Sequence, residues 1–218
     1  MSHPNQTAKL SPTFNDHAKA LSLDYECLSS PEERIRRAHD WVKGEAGQNL
    51  VLSSSFGPQS ILMLNFVKEA GIDIPVIAVD IEGDEYEPQR AYRETLRRSL
   101  GFDLYLAHAK DENGKDAAMI RALRQVNAGG VISGIRRSQT ENRASKPYVE
   151  WREKNRAYSF HPILNWPDQG VDSVLSQQID PALLHPDYAP GVQAIGGRIL
   201  GAGEQKQECG LHIDGGGI

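Results

Sequence analysis

From Asn49 onward the chain alternates short, wholly apolar segments with longer amphipathic ones, and this alternation constrains the fold more than any other feature. Leu50-Val51-Leu52 reads as a buried strand, and Ser60 to Ala70 as a helix closed by Gly71. Ile74 to Val79 is a second strand, followed by a helix from Glu87 to Leu100 that stops at Gly101. Phe102 to Ala107 is a third strand, Lys115 to Val126 a third helix, and a fourth strand lies near Val131-Ile132-Ser133. Strands that are short and apolar throughout, each separated from the next by a helix, predict an α/β fold: a parallel sheet with helices on both faces. In such sheets ligands gather at the carboxyl ends of the strands.

The flanking regions differ in character. Ser30-Pro31-Glu32-Glu33 has the form of a helix start, and Ile35, Ala38, Trp41 and Val42 follow at helical spacing up to a stop at Gly47. Residues 1–29 are polar and are expected to form a loosely packed, partly helical segment. After Pro162 the chain is rich in Pro and Gly, with one convincing helix from Val171 to Gln178. The expected organisation is a nucleotide-binding α/β domain over 30–160, an extension over the site from 161 to 202, and a mobile tail from 203 to 218.

Composition removes several functional classes. A net charge of −5 argues against general nucleic-acid binding, which rests on many cationic contacts to phosphates. No apolar run approaches the roughly 20 residues that cross a bilayer. The start, Met1-Ser2-His3-Pro4, lacks the pattern of a signal peptide, so a cytoplasmic protein is expected. Cys27 and Cys209 are the only two cysteines, too few for a disulfide framework or a cysteine-ligated iron-sulfur cluster. No pair of histidines has metal-ligand spacing, and no metal is assigned.

Two motifs and a basic stretch remain. Ser53-Ser54-Ser55-Phe56-Gly57-Pro58-Gln59-Ser60 joins the first strand to the first helix of the alternating region. Small residues there admit close approach of an anion to the backbone, and the following helix start supplies donors and the favourable dipole end. The loop has neither the Gly-Lys-Ser/Thr ending of a Walker loop nor the three glycines of a dinucleotide fold. Arg121, Arg124, Arg136, Arg137, Arg143, Lys146, Arg152, Lys154 and Arg156 bunch in one stretch and suggest a local anionic ligand. Cys209, in Glu208-Cys209-Gly210-Leu211-His212, lies in a polar, Gly-rich setting that favours an exposed, reactive thiol over a buried one.

The loop Ser53 to Ser60 resembles the modified PP-loop of the adenylyl-sulfate and phosphoadenylyl-sulfate reductases, and Glu208 to His212 resembles that family's C-terminal catalytic motif. Gly134 to Arg143 is similar to its arginine-rich stretch, and Pro162-Ile163-Leu164-Asn165-Trp166 to its Pro-Ile-x-x-Trp segment. The resemblance covers roughly residues 30 to 212 in the family's order.

It implies an adenine nucleotide alpha hydrolase-like (PP-loop) fold and reduction of an activated sulfate to sulfite. Cys209 would attack the sulfur and carry a sulfonate group, and thioredoxin or glutaredoxin would release sulfite through a mixed disulfide at Cys209. His212, or the arginines on closure, would activate the thiol, because Glu208 alone raises its pKa. Substrate binding would fall to Ser53, Ser54, Ser55, Phe56, Gly57, Gln59, Ser60, Asp80, Gly83, Arg136, Arg137, Gln139 and Arg143. No bound cofactor and no cluster are implied. A homodimer stays open, since Cys209 of two copies could pair under oxidising conditions.

The sequence departs from the family at Asp80-Ile81-Glu82-Gly83, where members carry Asp-Thr-Gly, and between Leu184 and Gly196, which follows the family's Gly-Tyr-x-Ser-Ile-Gly segment only loosely. Cluster-free relatives most often take the 3′-phosphorylated substrate, and some take adenylyl sulfate. An ATP-using PP-loop adenylating enzyme and a nucleotide-binding or redox-sensing protein are the competing classes, and both leave Cys209 without a catalytic task.

Overall fold

The computed structural model describes residues 13–45, 47–82 and 87–189. Among the described residues six strands form one sheet: β1 (Asn49–Ser53), β2 (Val76–Ile81), β3 (Leu104–Ala109), β4 (Ala128–Ile132), β5 (Val149–Arg152) and β6 (Ala157–Phe160). Their spatial order is β3-β2-β1-β4-β6-β5, with every pair parallel except β5 and β6. The helices are α1 (Phe14–Cys27), α2 (Pro31–Glu45), α3 (Pro58–Glu69), α4 (Glu87–Leu100), α5 (Lys115–Gln125) and α6 (Asp168–Gln177).

Successive strand residues point to opposite faces, and both faces are apolar. Leu50, Leu52, Val76, Ala78 and Ile132 join one core with buried residues of α1 to α4 and α6. Val51, Ile77 and Val131 join a second core with Met119 and Leu123 of α5. The chain steps from β1 to β2 to β3 in one direction and returns past β1 to β4. Right-handed crossovers therefore put α3 and α4 on one face and α5 on the other. The reversal between β1 and β4 is the topological switch point, where open α/β sheets bind ligands.

The helix boundaries follow local chemistry. Ser30 Oγ accepts from the Glu33 amide at 3.2 Å, and the Glu33 carboxylate accepts from the Ser29 and Ser30 amides at 3.0 and 3.3 Å, as the capping sequence predicts. Gly71 and Gly101 end α3 and α4 with φ of 70° and 75°, backbone that L side chains rarely adopt.

One expectation is corrected. Residues 14–27 of the segment expected to be loosely packed form α1, whose Ala18, Leu21, Ser22 and Tyr25 are buried at helical spacing. Ser22 Oγ accepts from the Tyr148 and Val149 amides at 3.0 and 3.3 Å, and the Tyr25 hydroxyl donates to the Arg34 carbonyl at 2.6 Å. One apolar residue per turn is enough, because α1 covers β5 at the sheet edge. The expected parallel sheet is present, and an antiparallel pair, β5 with β6, extends it at one edge. The hairpin β5–β6 was hidden among basic residues, since strands of four residues give almost no period-two signal.

Candidate functional site

Three segments meet at the carboxyl edge around the switch point: the loop after β1, the end of β2, and the segment after β4. In the first, Ser54 is buried and its hydroxyl accepts from the Phe56 amide at 3.1 Å. The Ser55 amide donates to Ser60 Oγ at 3.2 Å, and the Ser55 carbonyl accepts from the Gln89 side chain at 3.1 Å. Phe56 adopts φ of 55° although it is bulky, and it is held there by burial. Its ring stacks on Phe102 at 6.3 Å, and the Arg93 guanidinium carbon lies 6.0 Å from its centroid. Gly57 caps α3, Pro58 opens it, and the buried Gln59 and Ser60 complete its first turn. Ser53 ends β1 half-buried. The result is a tight loop at a helix start of the kind that receives anions.

Asp80, near the end of β2, is not a free acceptor. Arg93 of α4 grips it in a fork, Nη1 to Oδ1 at 2.6 Å and Nη2 to Oδ2 at 3.0 Å. Arg93 is 8% exposed. Sequence reading missed it, although it is the one charged residue among the buried positions Tyr92, Arg93 and Leu96 of a helix face, which is the available signal.

After β4, Gly134 packs its backbone on α3: a Cβ there would meet the Gln59 carbonyl oxygen at 3.1 Å and Gln59 Cβ at 3.0 Å. Arg136 and Arg143 are 1% and 2% exposed. Gln139 organises both, its Oε1 accepting from the Arg136 amide at 3.0 Å and from Arg143 Nη1 at 2.5 Å. Arg136 Nη1 donates to Ser138 Oγ, to the Trp166 carbonyl and to the Asp168 carboxylate. Its Nε is buried with no hydrogen-bond partner among the described residues.

Arg137 differs from its neighbours. Nε and Nη2 donate to the Lys146 carbonyl at 2.9 and 2.7 Å, and Nη1 to Asn165 Oδ1 at 2.6 Å. It ties the arginine segment to Pro162–Trp166 through three of its five N–H groups. That segment is the support of the site: Ile163 and Leu164 are fully buried, and the Leu164 carbonyl accepts from the Arg137 amide at 2.8 Å.

The rest of the basic stretch disperses. Lys154 pairs with Asp116, Arg121 donates to the His108 carbonyl, and Lys146 and Arg152 flank Glu150. Of the other expected site residues, Gly83, Glu208, Cys209 and His212 lie outside the described residues. Among the described residues no group of three or more His, Cys, Asp or Glu side chains could hold a metal ion. No helix among them is long and apolar enough to cross a membrane.

Residues 49–200, which begin at β1 and carry every one of these elements, match the profile of the phosphoadenosine phosphosulfate reductase domain. The chain belongs to the phosphoadenosine phosphosulfate reductase family. The phosphoadenosine 5′-phosphosulfate reductase of a Synechococcus species is 32% identical over 214 residues, covering 79% of this chain and 89% of that protein. Its namesake from Photobacterium profundum is 30% identical and covers 91% of each chain. Among solved structures, the FMN adenylyltransferase of Candida glabrata, bound to FAD and pyrophosphate, superposes with a TM-score of 0.58. That match has 15% identity and covers 82% of this chain and 69% of the other. This likeness shows the adenine nucleotide alpha hydrolase-like fold. Membership makes the chain a nucleotide-binding oxidoreductase, and in this reductase the loop after β1 and the arginine segment after β4 flank the point where the sheet reverses.

Proposed function

We propose that this reductase converts 3′-phosphoadenylyl sulfate to sulfite and adenosine 3′,5′-bisphosphate. The observation that carries the reading is the relationship to reductases of that name over most of both chains. The site's chemistry supports it: a loop and helix start suited to an anion, with buried arginines beside them.

In the proposed reaction the Cys209 thiolate attacks the sulfur of the sulfate group. An S–S bond forms, the S–O bond to the phosphate breaks, and the nucleotide leaves with the electron pair. Arginine cations lower the repulsion between a thiolate and a polyanion. A thiolate of thioredoxin or glutaredoxin then attacks the Cys209 sulfur, and sulfite leaves. The partner's second thiol displaces Cys209 from the mixed disulfide, so the partner's dithiol supplies both electrons. A chain with two cysteines suits this cluster-free route, and a reducing cytoplasm suits its free thiols.

The test is intact-mass analysis of the reduced protein after separate exposure to 3′-phosphoadenylyl sulfate and to adenylyl sulfate without a dithiol partner. One sulfonate group is expected on Cys209, formed with the 3′-phosphorylated nucleotide, absent from Cys209→Ser, and released as sulfite by thioredoxin. An adduct only with adenylyl sulfate would reassign the substrate. Sulfite release by Cys209→Ser at the wild-type rate would overturn the mechanism.

A further inference from the structure

Asp80 sets a problem for a site that takes an anion. It is a carboxylate on β2, the strand beside β1, and an unpaired charge there would act over a Debye length, about 10 Å at 0.1 M salt. Arg93 connects Asp80 with the loop after β1. Its fork takes both carboxylate oxygens, at 2.6 and 3.0 Å, while its guanidinium carbon lies 6.0 Å from the Phe56 ring centroid. The Arg93 side chain is 9% exposed and that of Asp80 30%, so the pair is screened by solvent on the carboxylate side alone.

We propose that Arg93 is a positioning residue of the nucleotide site: it cancels the Asp80 charge beside the loop that carries Phe56. An anionic ligand at the loop then meets ordered donors with no opposing charge. This inference rests on the proposed reading of the site as one for an adenosine phosphate. It assigns Asp80 a role as the anchor of Arg93, in place of a direct acceptor for the nucleotide.

The two roles predict opposite effects of neutralising Asp80. Asp80→Asn keeps one acceptor for Arg93 and removes the negative charge, so an anion gains. If Asp80 accepted a hydrogen bond from the nucleotide, the same change would weaken binding.

The experiment is calorimetric titration of the full chain with adenosine 3′,5′-bisphosphate as the probe. Arg93→Gln is expected to raise Kd at least about tenfold by uncovering the Asp80 charge. Asp80→Asn is expected to lower Kd about twofold or more, and the double variant to recover to within about threefold of wild type. A purely structural arginine would leave the double variant as weak as Arg93→Gln, and that result overturns the proposal. Weaker binding or unchanged binding by Asp80→Asn overturns it as well, and that arm decides the matter if Arg93→Gln does not fold. Wild-type protein that binds no adenosine phosphate would sink the nucleotide reading itself, whereas wild-type binding that the variants leave unchanged sinks only the role of Arg93.

Discussion

His161 Nδ1 lies 2.9 Å from the Ser133 hydroxyl, linking the residue just past β4 to the residue just past β6. On the far side of the ring, Nε2 meets Glu150 Oε1 at 3.3 Å, and Glu150 in turn faces Lys146 at 3.2 Å and Arg152 at 3.5 Å. With Glu150 ionised, a neutral His161 carries its proton on Nε2 and accepts the Ser133 proton at Nδ1. Ser133 immediately precedes Gly134, so the network anchors the point where the arginine segment leaves the sheet.

The pH dependence of stability follows from this network. Burial pushes His161 below its ordinary value of 6.5, against the upward pull of Glu150. Burial raises Glu150, but His161, Arg152 and Lys146 outweigh it and hold the carboxyl at about 2 in place of 4.5. Both folded values lie below the unfolded ones, so the unfolded chain takes up protons first as pH falls. The urea midpoint is expected to drop as pH falls through about 6.5, the unfolded histidine value, through His161, and again below about pH 4.5 through Glu150. His161→Gln should flatten the first of these drops; an unaltered slope would show that His161 is not its source.

Removing the carboxylate should cost more than removing the ring. Glu150→Gln leaves Lys146, which is 4% exposed, facing a neutral amide. A loss of about 3 kcal/mol is expected, read as a lowered urea midpoint at constant m-value.

Arg34 is the bolt of the N-terminal helix. Its guanidinium donates to the carbonyls of Tyr25, Pro162 and Leu28 at 3.0, 2.9 and 2.6 Å and lies 4.8 Å from the Tyr148 ring centroid. Arg34→Ala strands these acceptors and should destabilise by about 3 kcal/mol. Faster amide exchange in residues 14–27 would accompany it; protection equal to wild type would show that apolar packing alone holds α1.

Two glycines should respond with opposite signs. A Cβ on Gly130 would meet Val42, Phe160 and Leu50 side chains at 2.7, 2.8 and 2.9 Å, whereas on Gly44 it meets nothing within 4 Å. Gly130→Ala is expected to lose about 1–3 kcal/mol by overpacking. Gly44→Ala, inside α2, should gain about 0.5–1 kcal/mol by restricting the unfolded chain. Thermal melts of the pair check both signs.

Cys27, exposed at the end of α1, should react with an alkylating agent in the folded protein. Cys27→Ser should still take up the sulfonate group on Cys209. Loss of the adduct in that variant would show that both thiols take part.

The sequence by itself determined the alternation of strands and helices, the helix stops at Gly71 and Gly101, and the tight Ser-rich loop between β1 and α3. Each is written in neighbouring residues, through apolar period, backbone freedom or capping. Only the tertiary structure decided which polar groups are spoken for. Arg136 and Arg137 are adjacent and chemically alike, yet one is buried with an Nε that has no partner among the described residues and the other, half-buried, donates to the Lys146 carbonyl and to Asn165. Asn165 is 28 residues from Arg137, and Asp168 is 32 residues from Arg136. Partners at such separations meet because β4 and β6 are paired in the sheet, and no local period encodes that pairing. The same holds for Asp80, whose charge reads as available until α4 folds back over β2 and brings Arg93 onto it.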